Sequence, residues 1–154
     1  MNKNMPIKAK YVHTNLIAKD WRKLAAFYIN VFGCSMVPPE RDFKGDKIER
    51  GTGIKGVHLW GVHLKLPGFT NNAPTLEIFS YLPSIKALKT AVNRPGFGHI
   101  AFLVENVDMA KKKVLAGGGK QVGEIVTVKI TTGAKIKWCY VTDPEGNIIE
   151  LQSK

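Results

Sequence analysis

The sequence predicts an α+β fold made of two βαβββ modules. Three observations point there. Apolar periodicity gives the order strand, helix, strands in each half of the chain. An offset of 86 residues takes His13 to His99, each just ahead of a helix, and Gly33 to Gly119, each at that helix's end. Each half then closes with one acid inside an apolar strand, Glu77 in LEIF and Glu150 in IIEL. A repeat at fixed offset outweighs any single propensity. The modules span residues 9–82 and 98–153, with a linker at 83–97, in one domain covering 1–154.

The first half begins with a β-prone run at residues 11–17. Asp20 is a good helix N-cap. Trp21, Leu24, Ala25, Tyr28, Val31 and Phe32 then recur at helical spacing, and Gly33 ends the helix as a C′ residue. Residues 37–53, with Pro38, Pro39, Gly45, Gly51 and many charges, read as a loop. Strands follow at 57–66 and 75–82, joined by a Gly/Asn/Pro-rich turn.

The second half starts with a strand at 98–104. Asn106 caps a helix carrying Val107, Ala110, Val114 and Leu115, which Gly117, Gly118 and Gly119 stop. Strands are expected at 122–130, 136–142 and 148–152. The sequence Asp143-Pro144-Glu145-Gly146 is a type I turn signal between the last two.

Composition bounds the function. The 154 residues include 23 Lys and Arg against 12 Asp and Glu, a formal charge of +11. The lysines are scattered, and only Lys111–Lys113 form a run, on what reads as the solvated face of a helix. Without a finger, an RNA-binding aromatic signature or an obvious helix-turn-helix, this charge points to an anionic small molecule, not to nucleic acid. No apolar run approaches the ~18–20 residues of a membrane span, and residues 1–10 carry no apolar stretch of the signal-peptide kind. Two cysteines, Cys34 and Cys139, stand far apart in no metal-ligand spacing, which fits a reducing cytoplasm.

His13, Glu77, His99 and Glu150 occupy corresponding strand positions in the two halves. Strand alternation puts His13 with Asn15, Glu77 with Phe79, and Glu150 opposite Ile149 and Leu151. A carboxylate amid apolar strand residues is costly to bury unless it is paired or metal-bound. Two imidazoles and two carboxylates suit a divalent Ni, Co, Zn, Mn or Fe ion. His58 and His63 lie five apart in one strand, so they face opposite sides. His63 is read as a pocket residue, and His58 as structural or exposed.

The motifs VHTNLIAKDWRKLAAFYINVFG, TLEIFSY, PGFGHIAFLVENVD and YVTDPEGNIIELQ resemble the vicinal oxygen chelate superfamily over about residues 9–153. That superfamily includes glyoxalase I, methylmalonyl-CoA epimerase, extradiol dioxygenases and the fosfomycin and bleomycin resistance proteins. The resemblance implies strands curled into a barrel-like cup around one metal, with His13, Glu77, His99 and Glu150 as ligands. The His/Glu/His/Glu set looks like bacterial glyoxalase I and favours lyase or isomerase chemistry over oxygen chemistry. It implies Glu150 as the proton-transferring residue, with Glu77 second. Tyr81, Trp138 and Tyr140, with His63 and Phe79, are expected to line the substrate wall.

Ile17 and Tyr81 stand where glutathione-using members carry Arg and Asn, which argues against glutathione. The long 37–53 stretch is expected to cover the cup, with Arg41 and Arg50 as candidate contacts for an anion. The expected assembly is a homodimer. The alternatives are a methylmalonyl-CoA epimerase-like enzyme and a non-catalytic resistance-type binder.

Overall fold

A computed structural model describes residues 7–154. Among these residues the fold is α+β, with two mixed sheets and three helices. Strand β1 (His13–Ile17) is followed by helix α1 (Trp21–Phe32). The Asp20 side chain accepts from the Lys23 amide at 3.2 Å, and Gly33 closes the helix with φ of 73°. Gly tolerates that left-handed conformation without steric cost. One face of α1 buries Trp21, Leu24, Ala25, Phe27 and Tyr28.

The stretch expected as a loop is ordered differently. It forms strand β2 (Ser35–Lys44) and a short helix α2 (Asp46–Thr52). The register of β2 against β3 (His58–Lys65) breaks between Val37 and Arg41. Pro38 and Pro39 sit in that break, where they need not donate to the ladder. The strand is mostly exposed at the sheet edge, so apolar alternation is missing and its sequence looks like a loop. This strand completes the βαβββ order of the first half. Strand β4 (Thr75–Leu82) runs antiparallel to β3 and parallel to β1, giving the sheet order β1-β4-β3-β2.

The second sheet contains β5 (Ile100–Leu103), which precedes helix α3 (Val107–Ala116). Asn106 caps α3 by accepting from the Met109 amide at 2.9 Å. The strand expected at 122–130 is instead two short pieces, β6 (Lys120–Gln121) and β7 (Val126–Lys129), both paired with β8 (Lys135–Thr142). Strand β9 (Ile148–Ser153) lies between β8 and β5. The two sheets stay separate instead of closing into one barrel.

Strand alternation divides each sheet into two faces. Leu64, Val62, Leu76 and Ile78 of the first sheet enter the same core as Cys139, Val141, Ile149 and Leu151 of the second. Phe32 stacks on Phe102 across the module boundary, with ring centroids 4.1 Å apart. The opposite faces carry Glu77 and Glu150, so both acids look away from the shared core. Residues 83–97 contain no helix or strand. Among the described residues, no helix is long and apolar enough to cross a membrane.

Candidate metal centre

The first sheet assembles its polar row by register. Asn15 of β1 and His63 of β3 both lie opposite Glu77 of β4. Glu77 therefore sits between them. Its Oε2 accepts from Asn15 Nδ2 at 2.8 Å, and its Oε1 lies 2.9 Å from His63 Nε2. His13, two residues ahead of Asn15 on the same face, brings Nε2 to 3.5 Å from Oε2. The Thr75 hydroxyl lies 3.0 Å from His63 Nδ1, which fixes the ring with Nε2 aimed at Glu77. Ligand atoms of His13, His63 and Glu77 all lie within 4.8 Å of one another. Burial lowers the His63 pKa; Glu77 opposes this, while Arg41 and His13 push it further down. Burial raises the Tyr81 phenol, and Glu77 adds to that rise.

The second sheet repeats the arrangement. Ala101 lies opposite Glu150 in the parallel β5–β9 pair, as Asn15 lies opposite Glu77. His99, two residues ahead of Ala101, places Nε2 3.0 Å from Glu150 Oε2. Tyr140 lies directly opposite Glu150 on β8, and its ring is 5.1 Å from His99. Trp138 packs edge-on against Tyr140 at 5.0 Å.

Of the residues singled out from sequence, the structure thus brings His13 to Glu77 and His99 to Glu150. Within one chain His13 and His99 line a common cavity of about 810 Å³, but among the described residues only His13, His63 and Glu77 converge as three donors. The direct contact of His63 with Glu77 was not evident in the sequence. The turn between β3 and β4 is too long to fix their register, and only that register puts the two residues opposite. His58 faces elsewhere, with Nε2 2.9 Å from Asp42 Oδ1.

A cavity of about 460 Å³ opens from Glu77 and Asn15 toward α2. Phe43, Leu59, Phe79 and Tyr81 line it, and Ile48 and Lys47 of α2 border it. The 37–53 stretch therefore does cover part of this face. Its cation on the cavity is Lys47; Arg50 is not on the lining, and Arg41 acts on His63.

The sequence profile of the glyoxalase/bleomycin resistance protein/dioxygenase superfamily matches residues 10–151, almost the whole chain. The chain belongs to this superfamily. No curated protein sequence matches it significantly. Among solved structures, a glyoxalase family protein from Bacillus cereus superposes with a TM-score of 0.75 at 22% identity, covering 99% of this chain and 97% of that one. The fosfomycin resistance protein FosX from Listeria monocytogenes, solved with Mn(II) and sulfate, gives 0.54 at 19% identity over 97% and 94% of the two chains. A glyoxalase I variant from Zea mays gives 0.61 at 21% identity, covering 93% of this chain and 44% of that one. At these identities the likeness concerns the superfamily fold.

A divalent ion is compatible with the side chains of this superfamily member. Two imidazole nitrogens and a carboxylate converge on one small volume, the mixed N/O donor set that borderline divalent metals take. Asn15 and Thr75 orient the donors from behind, as outer-shell partners of metal ligands do.

Proposed function

We propose that the protein is a metal-dependent lyase or isomerase that moves a proton on a small carbonyl substrate. The observation that carries this reading is the convergence of His13, His63 and Glu77 on one point, with a matching His99–Glu150 pair in the second module. One divalent ion, drawn from Ni, Co, Zn, Mn or Fe, would be held by His13, Glu77, His99 and Glu150, with His63 beside Glu77. When bound, the ion supplies Lewis acidity toward adjacent substrate oxygens, which lowers the cost of removing the neighbouring proton.

Glu150 takes that proton on a carboxylate oxygen and returns it to the adjacent carbon. Its side chain is 19% exposed, largely screened from solvent. Glu77, fixed between Asn15 and His63, holds the opposite side of the site. Tyr140 and Trp138 in one module, and Tyr81 in the other, limit water around the reacting atoms. The substrate is a small molecule with an anionic group, consistent with the +11 charge.

The two acids look outward from a shared core, so a second copy of the chain would close each cup. Strands β1 and β5 are edge strands, and each carries or adjoins a site histidine. Their apolar residues Ile17 and Leu103 are 53% and 67% exposed. We read the assembly as a homodimer in which the His13/Glu77 face of one copy meets the His99/Glu150 face of the other. The free, buried thiols of Cys34 and Cys139 fit the reducing cytoplasm.

The deciding experiment is metal analysis of protein purified without chelator, followed by turnover of a hemithioacetal panel. About one ion per site is expected, with Glu150→Gln folded and inactive. Protein that holds no metal and gains no turnover from added Ni, Co, Mn or Zn would exclude the reading.

A further inference from the structure

Rows of side chains cross the site face of the first sheet in sequence. Glu77 shares its row with Asn15 and His63. The next row pairs Phe79 with Gly61, and the one after pairs Tyr81 with Leu59 and Leu59 with Phe43. Polarity therefore falls away along the face, from the carboxylate to an aromatic and aliphatic floor. Val57, Leu59 and Phe79 form a small apolar cluster separate from the main core, and Ile48 and Tyr81 pack on it. Ile48 comes from α2, which thereby roofs the far end of the cavity.

Gly61 opens this space. A Cβ at that position would collide with the Phe79 ring and the Ile78 carbonyl oxygen, so the ring can pack this closely on β3 only because Gly61 has no side chain. The cavity of about 460 Å³ lies in the range of small-molecule sites. Its walls are apolar, and its two charges sit apart, Glu77 on the β-sheet and Lys47 on α2.

We propose that this cavity is a side-chain subsite for an amphiphilic substrate, one that carries an aryl or branched alkyl group and an anionic end. The apolar group lies among Phe43, Ile48, Leu59 and Phe79. The anionic end meets the Lys47 ammonium, and Glu77 repels it from the opposite end, which fixes the direction of binding. The proposal rests on the reading of Glu77 as part of the reacting site, since it places the reactive oxygens at that end. It makes α2 the element that sets which carbonyl compounds are accepted.

The test uses metal-free full-length protein and reads binding, not turnover, so it is independent of whether a metal is bound or chemistry occurs. Butyrate, 4-phenylbutyrate and 4-phenyl-1-butanol are titrated calorimetrically. The phenyl group should tighten binding by about tenfold or more over butyrate, the scale of burying one ring. Ile48→Asp should abolish that gain. Lys47→Gln should weaken 4-phenylbutyrate several-fold and leave the alcohol unchanged. Lys113→Gln, on α3, should change neither.

Amide shifts in NMR spectra should move mainly in α2 and β4. Folding of each variant is checked by circular dichroism, and Phe43→Ser at the cavity rim serves if Ile48→Asp does not fold. Equal binding of butyrate and 4-phenylbutyrate, or a phenyl gain that survives both rim substitutions, overturns the subsite. A Lys47→Gln effect that is the same for acid and alcohol overturns the anionic assignment.

Discussion

The Tyr28 hydroxyl donates to Asp143 Oδ2 at 3.0 Å and so ties the helix of the first module to the closing turn of the second. Both residues are almost fully buried. Asp143 also accepts from the Glu145 amide and from the backbone and side chain of Asn147. The turn that ends the repeat thus doubles as the seam between modules. Tyr28→Phe keeps the ring but removes, among the described residues, the only cross-module donor to that carboxylate. We expect a loss of about 1–3 kcal/mol in urea unfolding, and an unchanged midpoint would show that the seam is held elsewhere.

The same carboxylate gives a pH dependence. Burial raises the Asp143 pKa above its ordinary value, against the hydrogen bonds that lower it. A carboxyl raised in the folded state contributes most to stability below its unfolded pKa of about 3.9 and loses that contribution as pH rises through the folded value. The stability of the native chain relative to Asp143→Asn should therefore grow as pH is lowered from neutrality toward the carboxylate range. Unfolding at pH 7 and pH 5, compared between the two proteins, checks the sign.

Gly61→Ala places a methyl group against the Phe79 ring and the Ile78 carbonyl oxygen. Backbone cannot yield there without disturbing the β3–β4 ladder. Overpacking of this kind costs about 1–3 kcal/mol, seen as a lowered Tm, and a variant as stable as the parent would mean that the ring swings aside.

His63 and His58 share one strand but not one face. His63→Ala should weaken Co(II) or Zn(II) binding about tenfold to a hundredfold, the range for groups that hold or orient ligands. His58→Ala, which removes a contact to exposed Asp42, should leave affinity unchanged. Competition with a chelator measures both, and equal behaviour of the two variants would remove His63 from the centre.

Mixing tests how the modules share the site. A chain with His13→Ala and Glu77→Gln is refolded together with a chain carrying His99→Ala and Glu150→Gln. If a site takes one module from each copy, random pairing restores about a quarter of native turnover, since half of the dimers then hold one intact site of two. A mixture as inactive as its components would place each complete site within a single chain.

The repeat was legible because burial imposes it: α1, α3 and the apolar strands carry their periods openly in the sequence. Strand β2 was not, because an exposed edge strand needs no apolar alternation and its prolines imitate a loop. The pairs His13–Glu77 and His99–Glu150 were legible from their matching positions. The His63–Glu77 contact depends on a register that the long turn leaves free, and the cavity under α2 depends on where a seven-residue helix folds back. Neither leaves a local signature.

The alternation that splits β3 and β4 into two faces has a wider consequence. Val62, Leu64, Leu76 and Ile78 pack in the core, while their neighbours His63, Glu77 and Phe79 line the candidate site. The two sets interleave residue by residue along the chain yet face opposite sides of the sheet. Selection can therefore re-equip the outward positions for new chemistry with little change in folding, and the architecture behaves as a chassis whose working parts are exchangeable one strand position at a time.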